Sequence, residues 1–476
     1  MKFGFIRPNP GRTLVSTEAY SIARSTKLMA KTFDTAAAAG LSREQLNAYW
    51  MPFTANREFK DNPRMVVGAE GCHFIDAKGR KIFDSLSGLW CTGFGHGRQE
   101  IVKAVSEQIA TLDYAPNFQF GHPLAFKLAD KVVSMAPEGL NHVFFTNSGS
   151  ESADTALKMA RGYWRQKGYP TKTKLIGRVK GYHGVNYGGT SVGGLVGNRK
   201  IFGSMGDIDH LPHTLLPENK FSKGMPGHGA ELADALEEIV GLHDASNIAA
   251  VIVEPFSGSA GMVVPPKGYL QRLRALCDKH NILLIFDEVI TGFGRAGGTF
   301  GAQVFGVTPD IMTIAKGLTN GTVPMGAVIA KDEIYDTYMA AGGPDYLVEF
   351  PHGYTYSGHP VACAAGLAAM DLFQRENLAQ KAADLAPYFE TLLHGLKGLK
   401  YVADIRNFGL AGAVQIEAAP GEPARRPWEI ALKCWDAGYY VRYGGDTLQF
   451  GPPFISEKSD LDGLMNAVAD AITSLA

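Results

Sequence analysis

The chain has no Cys-x-x-Cys pair, no apolar stretch long enough to span a bilayer, and no surplus of charge of either sign. Its cysteines, Cys72, Cys91, Cys277, Cys363 and Cys434, are odd in number and widely scattered, which argues against a disulfide framework and gives no zinc or redox spacing. Reduced thiols in a cytoplasm are therefore expected, with no metal site. Lysine and arginine number 46 against 47 acidic residues, and no basic run occurs, so there is no electrostatic case for a nucleic-acid partner. The opening MKFGFIRPNPGRT lacks an apolar signal core. A soluble protein that is not exported and binds no membrane is the expectation. Internal repeats and low-complexity segments are absent as well.

What is present suits a metabolic enzyme acting on small molecules. At 476 residues, 45% hydrophobic and 20% charged, the chain can bury a large core in two or three structural units, and its 56 glycines imply many loops and close backbone approaches. Residues 1–48 read as an arm or extension, within which 21–40 has helical character but few large apolar anchors. Residues 49–95 carry short apolar runs broken by Gly and Asp, the pattern of strands and turns in a small domain. Over 96–350, the runs HVFFT, KLIGRV, AAVIVEPF, NILLIFDEV and DIMTIA alternate with amphipathic stretches such as 150–167. That alternation predicts an α/β fold with a mostly parallel sheet flanked by helices, and ligands beyond the carboxyl ends of its strands. Residues 351–476 open with a helix over 359–376 and continue in shorter mixed elements, read as the remainder of a small α+β domain shared by the N- and C-terminal segments.

Two residues stand out at strand ends. Asp287 follows five apolar residues, where a carboxylate needs a cationic partner or several donors, and a ligand cation is the natural one. Lys316 ends the next run, where partial burial lowers the amine pKa as a Schiff-base lysine requires. Upstream, FFTNSGSESADTALKMAR places Ser148 and Glu151 in the S-x-x-E pattern of a helix start, with Gly149 allowing close approach. Such a start is a ready anion site, although the pattern alone is equally that of an ordinary cap.

With these words intact, the chain from about residue 50 to its end resembles the class III, fold-type I pyridoxal-phosphate aminotransferases. The resemblance implies that Asp287, in FDEVITGFGR, pairs with the cofactor's pyridine nitrogen. Lys316, in AKGLTNGTVPMGA, would hold pyridoxal 5'-phosphate covalently and carry the substrate proton. Ser148, Gly149 and Ser150 would hold the phosphate, and Tyr182 with His183 matches the family's stacking aromatic, with Val289 against the other ring face. Thr355 in FPHGYTYSGHP would reach the phosphate of a neighbouring subunit, making the active unit a homodimer or a dimer of dimers with shared sites. Arg442 would bind the substrate carboxylate two-pronged, and Glu254 would position Arg442 or join the polar network around it. Phe53, Leu89, Trp90, Phe118 and Phe120 would form the substrate wall, Phe118 and Phe120 coming from the partner subunit. The wording YWMPFTANR, HDASNIAAV, VEFPHGYTYS and VRYGGDTLQFGP resembles that of beta-alanine (omega-amino acid):pyruvate transaminases. It implies amino transfer from an omega-amino acid or primary amine to pyruvate by a ping-pong route.

Two other readings stay open. The same cofactor site serves aminomutases, decarboxylases and racemases. More remotely, Gly189-Thr190-Ser191-Val192-Gly193 satisfies the G-x-S-x-G pattern of serine hydrolases, though its glycine-rich flanks suit neither the strand nor the helix that such an elbow needs.

Overall fold

The computed structural model describes residues 40–475. The expected arm therefore falls largely outside the described residues, as does all of its helical stretch except Gly40. Within them the chain divides into two compact units, 40–69 with 74–81, and 70–73 with 82–475.

The first unit holds the helices Arg43–Ala48 and Asn56–Asp61. Ser42 caps the former in a reciprocal box with Gln45, and Arg43 ties the pair together through Asp61 at 2.8 Å. The strands Val66–Glu70, His73–Asp76 and Lys81–Asp84 occur where the apolar runs broken by Gly and Asp predict them.

In the second unit a seven-stranded sheet runs in the order Leu140–Thr146, Gly326–Lys331, Ile311–Ile314, Leu283–Asp287, Ile248–Val253, Lys174–Arg178, Ile208–Leu211. Six strands are parallel, and Gly326–Lys331 alone opposes both of its neighbours. The three central strands are buried throughout, and apolar but for Thr313 and the terminal Asp287, because helices cover both faces. The helix Gly149–Gln166 buries Ala156, Leu157, Ala160 and Trp164 against one face, and Tyr269–Lys279 buries Leu270, Leu273 and Cys277. Gly177 is obligatory, since a Cβ there would lie 1.8 Å from the Val192 carbonyl oxygen.

The predicted helix over 359–376 appears as Pro360–Arg375, with His359 as its N-cap and proline at its first position. Beyond it a second sheet, Val402–Phe408, Ala411–Ile416, Thr447–Phe450, Arg442–Gly444, is antiparallel and packs with the helices Leu378–His394, Arg425–Asp436 and Lys458–Thr473. Among the described residues no helix is long and apolar enough to cross a membrane.

Candidate active site

Parallel strands end on the same edge of a sheet, and their register decides which residues meet there. Val253 pairs with Phe286 and Asp287 with Thr313, so Glu254, Asp287 and Lys316 leave neighbouring strands together. Lys316 begins a 3-10 turn, Lys316–Thr319, with φ of 47°, a left-handed conformation that lysine disfavours. The helix Gly149–Gln166 starts at the same edge. A cavity of about 120 Å³ is lined by Gly149, Ser150, Tyr182, His183, Gly184, Glu254, Asp287, Val289, Ile290 and Lys316.

The buried carboxylate of Asp287 has its donors. Val289 N–H donates to Oδ1 at 3.1 Å, and His183 Nδ1 lies 2.8 Å from Oδ2. A carboxylate only accepts, so that contact puts a proton on Nδ1 and fixes the tautomer. His183 Nε2 is buried without a partner among the described residues. His183 thus serves as the orienting partner of Asp287, a role that stacking analogy misses.

Glu254 is buried too, and its Oε2 accepts the Tyr182 backbone N–H at 3.0 Å. That bond places Glu254 beneath the Tyr182 loop; among the described residues no hydrogen bond joins it to Arg442. Burial, reinforced by the Asp287 charge, pushes the Glu254 carboxyl up to about 6. Arg178 supports the same turn, donating Nη2 to the Glu254 carbonyl at 2.9 Å and to Ser257 Oγ at 2.9 Å. For Lys316 the loss of solvation lowers the amine pKa, with the Arg442 charge in the same direction and Cys91, Asp287 and Glu254 opposing it.

The helix start departs from the expected reciprocal cap. Ser148 Oγ accepts the Glu151 N–H at 3.2 Å, but the Glu151 carboxylate turns to Asn147, accepting its backbone N–H at 2.7 Å and its side-chain amide at 2.9 Å. Gly149 and Ser150 N–H groups have no acceptor among the described residues, at the positive end of an 18-residue helix. Ser148 caps the helix and is not in the cavity lining, whereas Gly149 and Ser150 are. A Cβ on Gly149 would lie 2.9 Å from Val289, and one on Gly184 would lie 2.4 Å from Ser150 Oγ, so space here exists only because both are glycine. An anion cradle, an acid, a partly buried amine, an aromatic side chain and a valine in one cavity fit pyridoxal phosphate. The glycines of GYHGVNYGG were the available signal for Gly184; nothing marked Ile290.

Arg442 lies on the strand Arg442–Gly444, hydrogen-bonds Tyr440, and its charge acts on both Tyr182 and Lys316. Leu89 is 45% exposed and Trp90 buried. Phe118 and Phe120 are 52% and 60% exposed and lie outside the cavity lining, as does Thr355, whose carbonyl accepts the Tyr114 hydroxyl at 3.0 Å. Phe53 belongs to the first unit and is exposed.

Ser191 sits in the short helix Tyr187–Val192, fully buried, with Oγ accepting the Met205 N–H at 2.8 Å; the nearby His210 Nε2 is bonded to the Gly193 carbonyl. That is no nucleophile elbow. A larger cavity of about 230 Å³ contains Lys180, Thr214 and Arg406, but neither Asp287 nor Lys316, and its Arg406 is already engaged by Asp404 and Gln415.

Residues 54–472 match the family described as Aminotransferase class-III. The chain is 62% identical over 436 residues to a beta-alanine–pyruvate aminotransferase of Pseudomonas aeruginosa, covering 91% of this chain and 97% of that protein. Identity is also 62% to an omega-amino acid–pyruvate aminotransferase of Pseudomonas putida, with the same coverage. Among solved structures, an (S)-enantioselective omega-transaminase from Thermomicrobium roseum superposes with a TM-score of 0.85 at 35% identity, over 92% of this chain and 99% of that one. A pyridoxal-phosphate-bound amine transaminase from an uncultivated Pseudomonas species gives 0.84 at 34% identity, over 90% and 99%.

Proposed function

The chain belongs to the class-III aminotransferases, and from that membership we propose that it moves the amino group of an omega-amino acid such as beta-alanine, or of a primary amine, to pyruvate, giving alanine. The observation that carries the assignment of roles is the convergence of Asp287 and Lys316 on one cavity.

Pyridoxal phosphate, on which the family depends, supplies when bound a carbon that accepts the amino group and a ring that draws electrons from the reacting carbon. The chain's own residues hold and steer. Gly149 and Ser150 offer free N–H groups and a helix dipole to the phosphate, with Ser148 fixing the helix start. Asp287, held by His183 and Val289 N–H, keeps a proton on the ring nitrogen. Tyr182 and Val289 give the ring an aromatic and an apolar contact, and Glu254 holds the Tyr182 loop in place. Lys316, its amine poorly solvated and so easily deprotonated, is the covalent anchor and then the proton carrier at Nζ.

Substrate recognition follows from Arg442, with Leu89 and Trp90 as walls. The exposure of Phe118, Phe120 and Thr355 supports their donation to a second copy, hence a homodimer or dimer of dimers, acting in the cytoplasm. Arg442→Ala is expected to raise KM for beta-alanine and pyruvate about 10- to 100-fold, the loss of a charge-assisted pair, while leaving KM for 1-phenylethylamine, which has no carboxylate, nearly unchanged. Equal effects on charged and neutral donors would remove Arg442 from carboxylate binding.

Initial rates at several fixed pyruvate concentrations test the reaction type. Parallel double-reciprocal lines are expected for two separate half-reactions; intersecting lines contradict them. Product analysis separates transamination from aminomutase, decarboxylase or racemase chemistry on the same site, because only transamination consumes keto acid one-for-one.

A further inference from the structure

The segment 84–92 follows a backbone path that its residues disfavour. Ser87, Gly88 and Trp90 have φ of 50°, 69° and 68°, and two of the three carry a Cβ. Such a path persists only if its surroundings impose it, and two anchors do so. On one side the fully buried Asp84 carboxylate accepts the backbone N–H groups of Leu86, at 3.2 Å, and of Gly88, and lies 2.8 Å from His96 Nε2. On the other stands Arg295, itself buried. Its Nη2 donates to Ser87 Oγ at 2.9 Å, its Nη1 to the Leu410 and Pro452 carbonyls at 2.9 and 2.8 Å, and Ser87 Oγ passes a hydrogen bond to the Gly451 carbonyl at 2.7 Å.

The Arg295 guanidinium also lies 5.6 Å from the centre of the Trp90 ring and 4.6 Å from that of Phe454. The indole is pressed on Gly451, where a Cβ would fall 2.3 Å from it. At its far end the segment abuts the turn that carries Lys316. A Cβ on Gly321 would sit 2.9 Å from Cys91 Cβ, and Gly321 N–H donates to the Lys316 carbonyl at 3.1 Å. Among the described residues no carboxylate forms an ion pair with Arg295, so its charge is spent on backbone carbonyls, a serine hydroxyl and two rings. Burial pushes it down to about 9, against the pull of Asp84.

We infer that Arg295 is a positioning residue for substrate choice: through Ser87 and Trp90 it fixes the Leu89–Trp90 wall against the Lys316 turn, and so sets which amine fits. This rests on the reading of Leu89 and Trp90 as substrate wall.

The test uses holoenzyme and the ratio of kcat/KM for 1-phenylethylamine to that for beta-alanine, with the visible absorption of the bound cofactor recorded alongside. Arg295→Met and Ser87→Ala are expected to shift the ratio about tenfold or more, mainly through KM, because small misplacements of a substrate wall are costly, with the absorption unchanged. Arg295→Lys, which keeps a charged donor, falls between them and the unmodified enzyme. Ser87→Ala decides the matter if Arg295→Met does not fold. A ratio within about twofold of the unmodified enzyme in both Ser87→Ala and Arg295→Lys, a change too small for lost positioning, overturns the inference. So does a shift that appears only together with loss of cofactor. If Trp90→Leu leaves the ratio unmoved, the wall reading itself has failed, and that outcome is distinguishable because it does not involve Arg295.

Discussion

Lys316→Ala is expected to abolish the visible absorption of the bound cofactor and to lower kcat by at least about 10³-fold. Two losses combine to give that size. The covalent anchor disappears, and so does the group that carries the proton, a role that alone contributes about 10²- to 10⁴-fold. The position is particular to its geometry. Lys316 follows the strand Ile311–Ile314, takes a left-handed φ of 47° and lines the cavity with Asp287 and Glu254. Among the described residues no other lysine lines that cavity, so none of them offers a second amine to substitute. Measuring the spectrum and single-turnover rate of the purified variant checks this. Retention of both would show that Lys316 is a structural residue.

Asp287→Asn is expected to lower kcat by about 10³-fold while the cofactor stays bound, since three pKa units lost at the ring nitrogen correspond to about 4 kcal/mol. The substitution is nearly isosteric. Asn Oδ1 can still accept the Val289 N–H, and Nδ2 can donate to His183 Nδ1 once that ring takes its other tautomer, so neither contact need be lost and folding is not at stake. What disappears is the negative charge that keeps the ring nitrogen protonated. Cofactor titration and half-reaction rates with amine and with pyruvate separate the two possibilities. Both half-reactions should slow together, and a variant that loses cofactor but turns over normally when saturated would make Asp287 a binding group alone.

Much of this arrangement was legible because two polar residues break apolar runs at places where their desolvation has no cheap alternative. Asp287 and Lys316 announce themselves in that way, and five of the seven strands of the large sheet announce themselves as short apolar runs. Ile208–Leu211 did not, since an edge strand reading Ile-Asp-His-Leu is only half buried. Gly326–Lys331 hides inside a motif, and its reversed direction is fixed by where the chain returns to the sheet, which no local pattern encodes. The partnership of His183 with Asp287 spans 104 positions, and local spacing cannot carry it. The S-x-x-E pattern predicts Glu151 as half of a reciprocal cap, yet its carboxylate reaches Asn147, because the choice between adjacent backbone donors is settled by side-chain geometry. Arg295 appears in the sequence only as the last letter of FDEVITGFGR; its role depends on Ser87 and Gly451, from distant parts of the chain.

The most direct measurement mixes the purified holoenzyme with beta-alanine alone and follows its visible spectrum, then removes the free amine and keto product and adds pyruvate. The account predicts that the absorption falls once, without continued turnover, and returns on adding pyruvate with one alanine formed per site. An unchanged spectrum, or product accumulating steadily before any keto acid is present, would contradict it.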